Sequence, residues 1–576
     1  MLQDCIDLFE KSTDMDKMVL DTYTPADGTY IILEETKDGF HQKELLEVKQ
    51  DKKTKLLNIT EEERSRISYI DYNCKLIDMN KPIDSKKIIQ SNNFLSFWIK
   101  KESLTNGKLS EKIIDDYYEI LSNPYNKYTK PKDKELYAVV EKEVGDINQE
   151  KLQKIKKWVK NNIFDLPFEV IGKDYLKIFF ICDGVDFENE GKRYILPNIF
   201  NKNDYNIKVE GNVFGLPNEN MGLNSKKPYL ENKNRKISVP TLADTKQIMV
   251  RKKFFDYLWN LASSGKTNIY FDIETNRIHP FDLKTSPTSD FKGYYLRVRK
   301  DKNEAAILDM DMITSYKPEL KKPLLIENVI GIDIDKLQGH CYGIITKLYE
   351  IRDTVNNELF SNTLIPNFFT EPSDISINDT ALKECIMEAR NSLFNWFYKG
   401  YENGIDGVMD RISLQLIKNS ISNNYSEKVQ HQFNIRASFL EYFKGGVRKM
   451  ADVMKEIRDN LRDKINTVEY ESIKSDEEYY YAVGQLLRFY ISLNRTTKKN
   501  HSLFNPFLNI KSDTILKEKL EIFFKKYNYA IDERSLRFNN IYKLIISYKP
   551  EGELNHDYLI AGYISNNLIY EKKEDK

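Results

Sequence analysis

Apolar positions in the first 335 residues follow two periods, one of two residues and one near 3.6, so the pattern predicts both strands and helices there. The turn Pro25-Ala26-Asp27-Gly28 leads into a β-branched and aromatic run, which predicts a strand at residues 29–33. Residues 34–66 are charged and poorly periodic, as expected of a loop or mobile insertion. The other predicted elements are strands at 175–182, 267–273, 293–299 and 305–313, and helices at 113–121, 152–160 and 246–262.

Beyond about residue 335, amphipathic helical patterns replace the strand signals. Gly445-Gly446 interrupts them, and residues 450–465 then place six apolar side chains on one helical face. Ser475 and Glu478 predict a capping box at the start of the next helix. Further helices are predicted at 513–526 and 557–569. The apolar face consists of Met450, Val453, Met454, Ile457, Leu461 and Ile465.

These patterns together predict an α+β chain with three parts. A mixed α/β part is expected at residues 1–335, a helical connecting region at 336–449, and a helical bundle at 450–576. The C-terminal half is therefore predicted to be all-helical.

The composition indicates a folded, soluble chain without strong overall charge. The 576 residues include 88 Lys plus Arg and 88 Asp plus Glu, so a net positive charge does not drive binding to nucleic acid. With 36 Tyr and 30 Phe the chain is too aromatic for disorder. The apolar runs are too short to span a membrane and the N-terminus is acidic, so a cytoplasmic location is expected.

One local stretch is strongly basic. Residues 224–236 hold five basic side chains and one acid, with an aromatic ring among them. Cations that meet phosphates and a ring that stacks on a base would suit a nucleic-acid contact, whereas the simpler interpretation is a solvated loop. The candidate binding residues are Asn224, Lys226, Lys227, Tyr229, Lys233, Arg235 and Lys236.

A second basic cluster follows the capped helix, at Arg488, Arg495, Lys498 and Lys499. Gly484 lies close to the same helical face and would allow an extended backbone to approach. The alternative is that Gly484 permits tight packing between helices.

The strongest enzyme-like pattern is Asp272-Ile273-Glu274, which resembles the first motif of 3′–5′ exonucleases of the DnaQ type. On a strand the two carboxylates would point to the same side and could hold Mg²⁺. The two further acids that such a site needs have no convincing counterpart in the sequence.

Other catalytic and metal-binding patterns are also lacking. Residues 264–267, Ser-Gly-Lys-Thr, do not form a phosphate loop, because Asn260 replaces its first glycine and the predicted order is helix to strand. Six scattered histidines and five cysteines without a CxxC pair support neither a metal site nor a disulfide framework. No catalytic residue, metal or cofactor is therefore expected.

Four stretches in order resemble the large subunit of type I-B CRISPR Cascade complexes. They are the N-terminal Met-Leu-Gln-Asp-Cys at 1–5, the turn and strand at 25–30, the basic stretch at 224–236, and Tyr-Leu-Ile-Ala-Gly-Tyr at 558–563. Some members of that family carry a Cys-rich insertion that this chain lacks. The resemblance runs nearly from end to end and fits the mixed-then-helical layout.

The resemblance implies a non-catalytic subunit that recognises the protospacer-adjacent motif and stabilises the R-loop. Its expected partners are CRISPR guide RNA, target double-stranded DNA, the Cascade backbone and guide-5′-end subunits, and a separate helicase-nuclease, with no membrane contact. The N-terminal part is expected to make the adjacent-motif and guide-end contacts. A scaffold that does not bind nucleic acid is a third interpretation.

The family also suggests that the C-terminal bundle is made separately as a free small subunit. The Lys444-Gly445-Gly446 tripeptide can be encoded by a purine-rich ribosome-binding sequence, and Met450 follows at a suitable spacing. A product of residues 450–576 would begin at the predicted helix boundary, with Met454 as the other candidate start.

Overall fold

The computed structural model describes residues 1–12, 14–77, 82–217, 242–301, 304–445, 449–469, 471–494 and 501–571. The chain divides into two compact units. The first comprises residues 1–283 and 292–314, and the second comprises residues 284–291 and 315–576.

Two four-stranded sheets and a small three-stranded sheet organise the first unit. The sheet orders are β2-β1-β4-β3, β11-β10-β8-β9 and β5-β6-β7. Strand β1 pairs in parallel with β4 and antiparallel with β2. The strands are β1 (Gly28–Thr36), β2 (Gly39–Val48), β3 (Ser96–Lys100), β4 (Tyr175–Ile181), β5 (Ile207–Val209), β6 (Asn212–Gly215), β7 (Ala243–Asp244), β8 (Lys266–Asp272), β9 (Arg277–Asp282), β10 (Phe291–Asp301) and β11 (Glu304–Tyr316).

Helices cover the sheets of this unit and bury their apolar faces. The largest core surrounds the first sheet and includes Phe97, Ile178 and Phe179, all inaccessible to solvent. A second core joins the second sheet to α1 and α9. The helices are α1 (Leu2–Lys11), α2 (Met15–Thr22), α3 (Glu61–Cys74), α4 (Lys101–Thr105), α5 (Glu111–Ser122), α6 (Pro131–Val144), α7 (Gln149–Asn162), α8 (Phe187–Asn198) and α9 (Thr245–Ser263).

The second unit is mostly helical around one extended apolar core. A two-stranded ribbon of β12 (Glu319–Ile326) and β13 (Gly343–Lys347) precedes its helices. The helices are α10 (Leu348–Thr354), α11 (Thr380–Lys399), α12 (Ile405–Ser422), α13 (Ser426–Lys444), α14 (Met450–Asn466), α15 (Asp476–Ser492), α16 (Asn505–Leu508), α17 (Asp513–Tyr527), α18 (Leu536–Ser547) and α19 (His556–Ile564).

The predicted fold class is confirmed: mixed sheets and helices are followed by a mostly helical region. Helix α14 begins at Met450 and buries Met454, Ile457, Leu461 and Ile465, as its pattern predicts. The region after residue 335 is not entirely helical, because β13 lies within it. The last helix ends at Ile564, five residues before its predicted end.

The prediction of a loop at residues 34–66 is wrong, because this stretch contains β2 and the start of α3. The alternation of apolar and polar residues is weak here because β2 is an edge strand that is largely exposed along its length. Its pairing with β1 holds it in the sheet, and Phe40, Leu46 and Val48 are the side chains that it contributes to the core.

Half of the predicted capping box forms. The Ser475 hydroxyl accepts from the backbone N–H of Glu478, 3.2 Å away. The Glu478 carboxylate does not complete the box, because it accepts from the Lys464 ammonium at 2.6 and 2.8 Å and from the Lys474 N–H at 3.0 Å. The side chains of Lys464 and Glu478 are buried, so this ion pair ties α14 to α15 inside the core.

The three-part division drawn from sequence differs from the two compact units. The units separate near residue 314, whereas the pattern placed its first boundary at 335. Residues of α12 and α13 share a continuous core with α14–α19, including Ile417, Phe433 and Leu486. Met450 therefore begins a helix inside the second compact unit.

Candidate nucleic-acid interface

The basic stretch 224–236 lies outside the described residues, but the structure describes the strands on either side of it. Strand β6 pairs antiparallel with β7, with Phe214 opposite Asp244 and Gly215 opposite Ala243. The connection between these two strands contains all seven candidate residues from Asn224 to Lys236. The connection that carries the basic stretch therefore begins and ends at adjacent strands of one small sheet.

The packing around Gly215 leaves no room for a side chain. A Cβ atom there would lie 2.2 Å from the Asn206 Oδ1 and 2.6 Å from the Phe200 ring. Leu216, which follows, is buried. The outgoing end of the connection is thus fixed against the body of the first unit.

The returning end is fixed by a helix cap. The Asp244 carboxylate accepts from the Gln247 backbone N–H at 2.7 Å, and the Gln247 amide oxygen accepts from the Asp244 N–H at 3.3 Å. This reciprocal capping box starts the 19-residue helix α9 directly after β7. Long connections in compact domains are uncommon, and many of them carry function.

Strand β5 adds an exposed, partly basic surface beside this connection. Tyr205 ends a short 3-10 helix just before the strand and is 53% exposed, and Ile207 and Val209 on the strand are also exposed. The Lys202 ammonium lies 6.0 Å from the centroid of the Tyr205 ring, and Lys208 is exposed on β5. An exposed aromatic ring next to exposed cations offers both a stacking surface and phosphate contacts.

The sequence interpretation missed this surface, although one signal was present. Lys202, Tyr205 and Lys208 repeat at three-residue spacing, with a Tyr between the two lysines. The spacing alone does not show that the Tyr is exposed. The Lys132 ammonium donates to the carbonyls of Asp204 and Asn206 at 2.7 Å each, and this contact between distant residues is likewise not visible in the spacing.

Arg488 lies in a different environment from the one predicted. Its Nη1 donates to the backbone carbonyl of Tyr563 at 3.1 Å, and the side chain is half-buried between α15 and α19. Burial lowers the pKa of Arg488, which remains a cation. Its charge is therefore used in packing two helices. The other members of that predicted cluster, Arg495, Lys498 and Lys499, lie outside the described residues.

Gly484 allows tight packing between two helices, which was the alternative interpretation of this residue. A Cβ there would lie 2.2 Å from the Leu559 carbonyl oxygen and 2.6 Å from the Tyr563 nitrogen. Gly562 makes the reciprocal approach, where a Cβ would lie 2.1 Å from the Tyr481 carbonyl oxygen. Two glycines therefore let the backbones of α15 and α19 touch, and the space near Gly484 is occupied by protein.

Asp272 and Glu274 do not share the face of a strand. Strand β8 ends at Asp272, and Glu274 lies in the turn that leads to β9. The Asp272 Oδ1 accepts from the backbone N–H of Glu274 at 2.8 Å and of Thr275 at 3.0 Å. Burial tends to raise the pKa of Asp272, but these donors outweigh it and lower the pKa. The carboxylate thus closes a hairpin turn.

No group of three or more His, Cys, Asp or Glu side chains in the described part of the chain could hold a metal ion. All five cysteines are free thiols, and only Cys341 is exposed. Residues 264–267 run from the C-terminus of α9 into β8, in the helix-to-strand order that was predicted. None of the helices in the described ranges is long and apolar enough to cross a membrane.

Comparison with protein families, with curated proteins and with solved structures finds no significant match for this chain.

Proposed function

We propose that this chain is the non-catalytic large subunit of an RNA-guided DNA surveillance complex of the type I-B Cascade kind. The observation that carries the proposal is the basic stretch 224–236 between two paired strands, each fixed to the first unit. The sequence resemblance and the mixed-then-helical layout support it.

In this proposal the guide RNA supplies most of the sequence specificity, and the protein reads only a short duplex motif and holds the displaced strand. A chain with zero net charge can do this if its positive charge is concentrated locally. Lys226, Lys227, Lys233, Arg235 and Lys236 would contact phosphates. Asn224 and Tyr229 would meet base or sugar edges.

The proposed partners are the guide RNA, the target duplex, the Cascade backbone and guide-5′-end subunits, and a helicase-nuclease that cleaves the DNA. The protein would work in the cytoplasm without a cofactor. The anchored strand ends support this role, because they fix where the connection that carries the basic stretch leaves the first unit and where it returns.

We also propose that residues 450–576 are produced alone as a small subunit from an internal start at Met450 or Met454. Helix α14 begins at Met450, which supports the boundary. Such a product would lose α12 and α13, which contribute Ile417, Ile421 and Phe433 to the shared core. Its uncovered apolar face would therefore need a partner surface in the complex.

A C-terminal affinity pull-down from the native host tests both proposals. The expected result is guide RNA, several partner subunits and a second product of roughly 15 kDa that begins near Met450, a mass in proportion to the 67.9 kDa of the full 576 residues. A lone full-length chain without RNA would contradict the surveillance role. N-terminal sequencing that finds no start at Met450 or Met454 would contradict the internal start alone.

The exonuclease alternative is tested separately with labelled single-stranded DNA and Mn²⁺. We expect no digestion, because the Asp272 carboxylate is held by two backbone donors in the turn. Digestion that the Asp272→Ala variant abolishes would favour the exonuclease over the surveillance role.

A further inference from the structure

A compact lysine-rich turn follows β2 in the first unit, in the stretch that the sequence pattern assigned to a loop. Residues 49–58, here named the lysine turn, contain Lys49, Lys52, Lys53 and Lys55 with one acid, Asp51, for a local net charge of +3. All four lysines are exposed. Leu57 is partly buried against the core of the first sheet and anchors the turn.

Hydrogen bonds within the turn fix its backbone. Gln50 and Leu57 form an antiparallel bridge, and the Asp51 N–H donates to the Leu56 carbonyl at 2.9 Å. The Lys49 N–H donates to the Asn58 side chain at 2.7 Å, and that side chain donates back to the Glu47 carbonyl at 2.7 Å. The turn is therefore built as a defined element.

The carboxylate of the turn's single acid, Asp51, is exposed and is held by donors of the turn itself. Its Oδ1 accepts from the N–H of Lys53 at 2.8 Å, the N–H of Thr54 at 2.7 Å and the Thr54 hydroxyl at 3.0 Å. These donors lower the pKa of Asp51, so it stays ionised while serving the backbone. In the part of the chain that the structure describes, none of the four lysines forms an ion pair with a carboxylate.

Neighbouring acids at this end of the sheet are also engaged. The Asp27 carboxylate accepts from the Gln50 N–H at 2.9 Å, and the Asp174 carboxylate pairs with the buried Lys101 ammonium at 3.1 Å. Lys100 and Lys173 lie at the same end, because the ends of β3 and β4 meet there. Lys100 pairs with Glu102 at 4.0 Å and Glu47 is exposed nearby, so the excess of positive charge at this edge comes from the lysines of the turn and from Lys173.

We infer that the lysine turn is a second nucleic-acid contact, which binds the phosphate backbone of duplex DNA without reading sequence. The inference rests on the proposed function and adds a site to it. Lysine ammonium groups act as point charges toward phosphates, which suits a contact that positions the duplex. The turn has no aromatic residue, and single-strand binders stack bases on aromatic rings, so duplex DNA is the partner that fits.

The test compares the full-length wild-type chain with the Lys52→Gln/Lys53→Gln variant by fluorescence anisotropy on a short duplex, over a range of salt concentrations. Loss of two phosphate contacts should reduce the slope of log affinity against log salt by about 2. The ratio of the wild-type affinity to the variant affinity should then fall about tenfold between about 50 and about 200 mM salt.

The matched control is Lys43→Gln/Lys154→Gln, which removes the same charge from the same unit. These lysines are about half exposed and pair with Glu34 and Glu150 at 2.8 Å each. The control should keep the wild-type slope, since its ammonium groups already have partners. A single strand of the same sequence should show a smaller effect of the turn variant than the duplex does.

Three results would overturn the inference: an unchanged slope in the turn variant, an equal change in the control, or an effect seen only on the single strand. A wild-type chain that binds no duplex would also overturn it. The proposed function is judged independently by the guide RNA and partners in the pull-down, which do not depend on these lysines.

Discussion

The lysine turn of the first unit and the interior of the second unit use positive charge in opposite ways. In the turn, Lys52 and Lys53 are exposed and have no carboxylate partner in the described structure. In the second unit, the Arg436 guanidinium is buried between Asp410 and Asp557 at 2.7 Å from each, and Lys464 is buried against Glu478. A basic residue in sequence is therefore evidence for a polyanion site only when the fold leaves it without a partner.

The difference follows from the cost of burying a charge. A buried cation is tolerated only when an acid or a set of carbonyls faces it closely, and the pair then projects little field into solvent. An exposed lysine needs no such partner and keeps its charge available to a phosphate. The largest effects of substitution should thus fall on stability in the second unit and on salt-dependent binding in the turn.

The Lys464→Met variant should show the largest effect. It leaves the Glu478 carboxylate buried without its ion-pair partner, which should cost about 4 kcal/mol of unfolding free energy. Urea denaturation measures this loss. The Lys464→Met/Glu478→Met double variant should recover most of it, because two apolar side chains can replace a buried pair. A double variant as unstable as the single one would contradict this explanation.

The Gly484→Ala variant tests whether the segment before Arg488 is a packing surface. Its Cβ would clash with the backbone of α19, which should cost about 3 kcal/mol of unfolding free energy. Gly407→Ala in α12 is the control, because a Cβ there meets only the far end of the Arg411 side chain at 3.8 Å. It should be neutral or stabilise by about 0.5–1 kcal/mol. Equal destabilisation by both substitutions would indicate that helix glycines matter for a reason other than this contact.

Much of the fold could be predicted from sequence where one element alone carries the signal. The apolar stripe of α14 and the β-branched run of β1 are local patterns, and both predicted elements are present. The approach of Gly484 to Gly562 could not be predicted, because the two glycines are far apart in the chain and neither carries a side chain to pattern. The ion pair of Lys464 could not be predicted either, because its partner Glu478 lies on the next helix.

The candidate site was less predictable than the fold. A charge count selected the stretch at 224–236 but missed the lysine turn. Strand β2 is too exposed to show the alternating apolar pattern of a strand, so no sign that a turn follows it is visible in the sequence. The charge count also selected Arg488, which donates to the backbone carbonyl of Tyr563. The sequence does not reveal a contact of this kind. Composition reports how many cations exist, and tertiary contacts decide which of them remain available.

The Arg488→Gln variant sharpens the comparison directly. Loss of the bond to the Tyr563 carbonyl and of packing should destabilise the chain by about 1 kcal/mol. The salt slope of duplex binding should stay at the wild-type value, in contrast to the turn variant. A slope reduced by about 1 would show that Arg488 contacts a phosphate after all.

The smallest expected effect is a loss of stability in mild acid, because protonation of a buried histidine would place a charge without a partner inside the second unit. His431 is buried, its ring stacks on His340 with centroids 3.6 Å apart, and its Nδ1 lies 2.7 Å from the Tyr342 hydroxyl. Burial, helped by the electrostatic effect of the neighbouring His340, lowers the pKa of His431 despite the nearby Glu358 and Glu427.

As the pH falls through about 6.5, the unfolded chain binds a proton at His431 that the folded chain does not, so stability should fall. The His431→Gln variant should lose part of this pH dependence, as measured by urea denaturation between pH 7.5 and 5.5, at about one pH unit on either side of the ordinary histidine value. Part should remain, because burial also lowers the pKa of His556. A variant that keeps the full pH dependence would contradict this explanation. It would show that the folded chain protonates His431 as easily as the unfolded chain does. A buried charge in the second unit would then not need a partner, contrary to what Lys464 and Arg436 indicate.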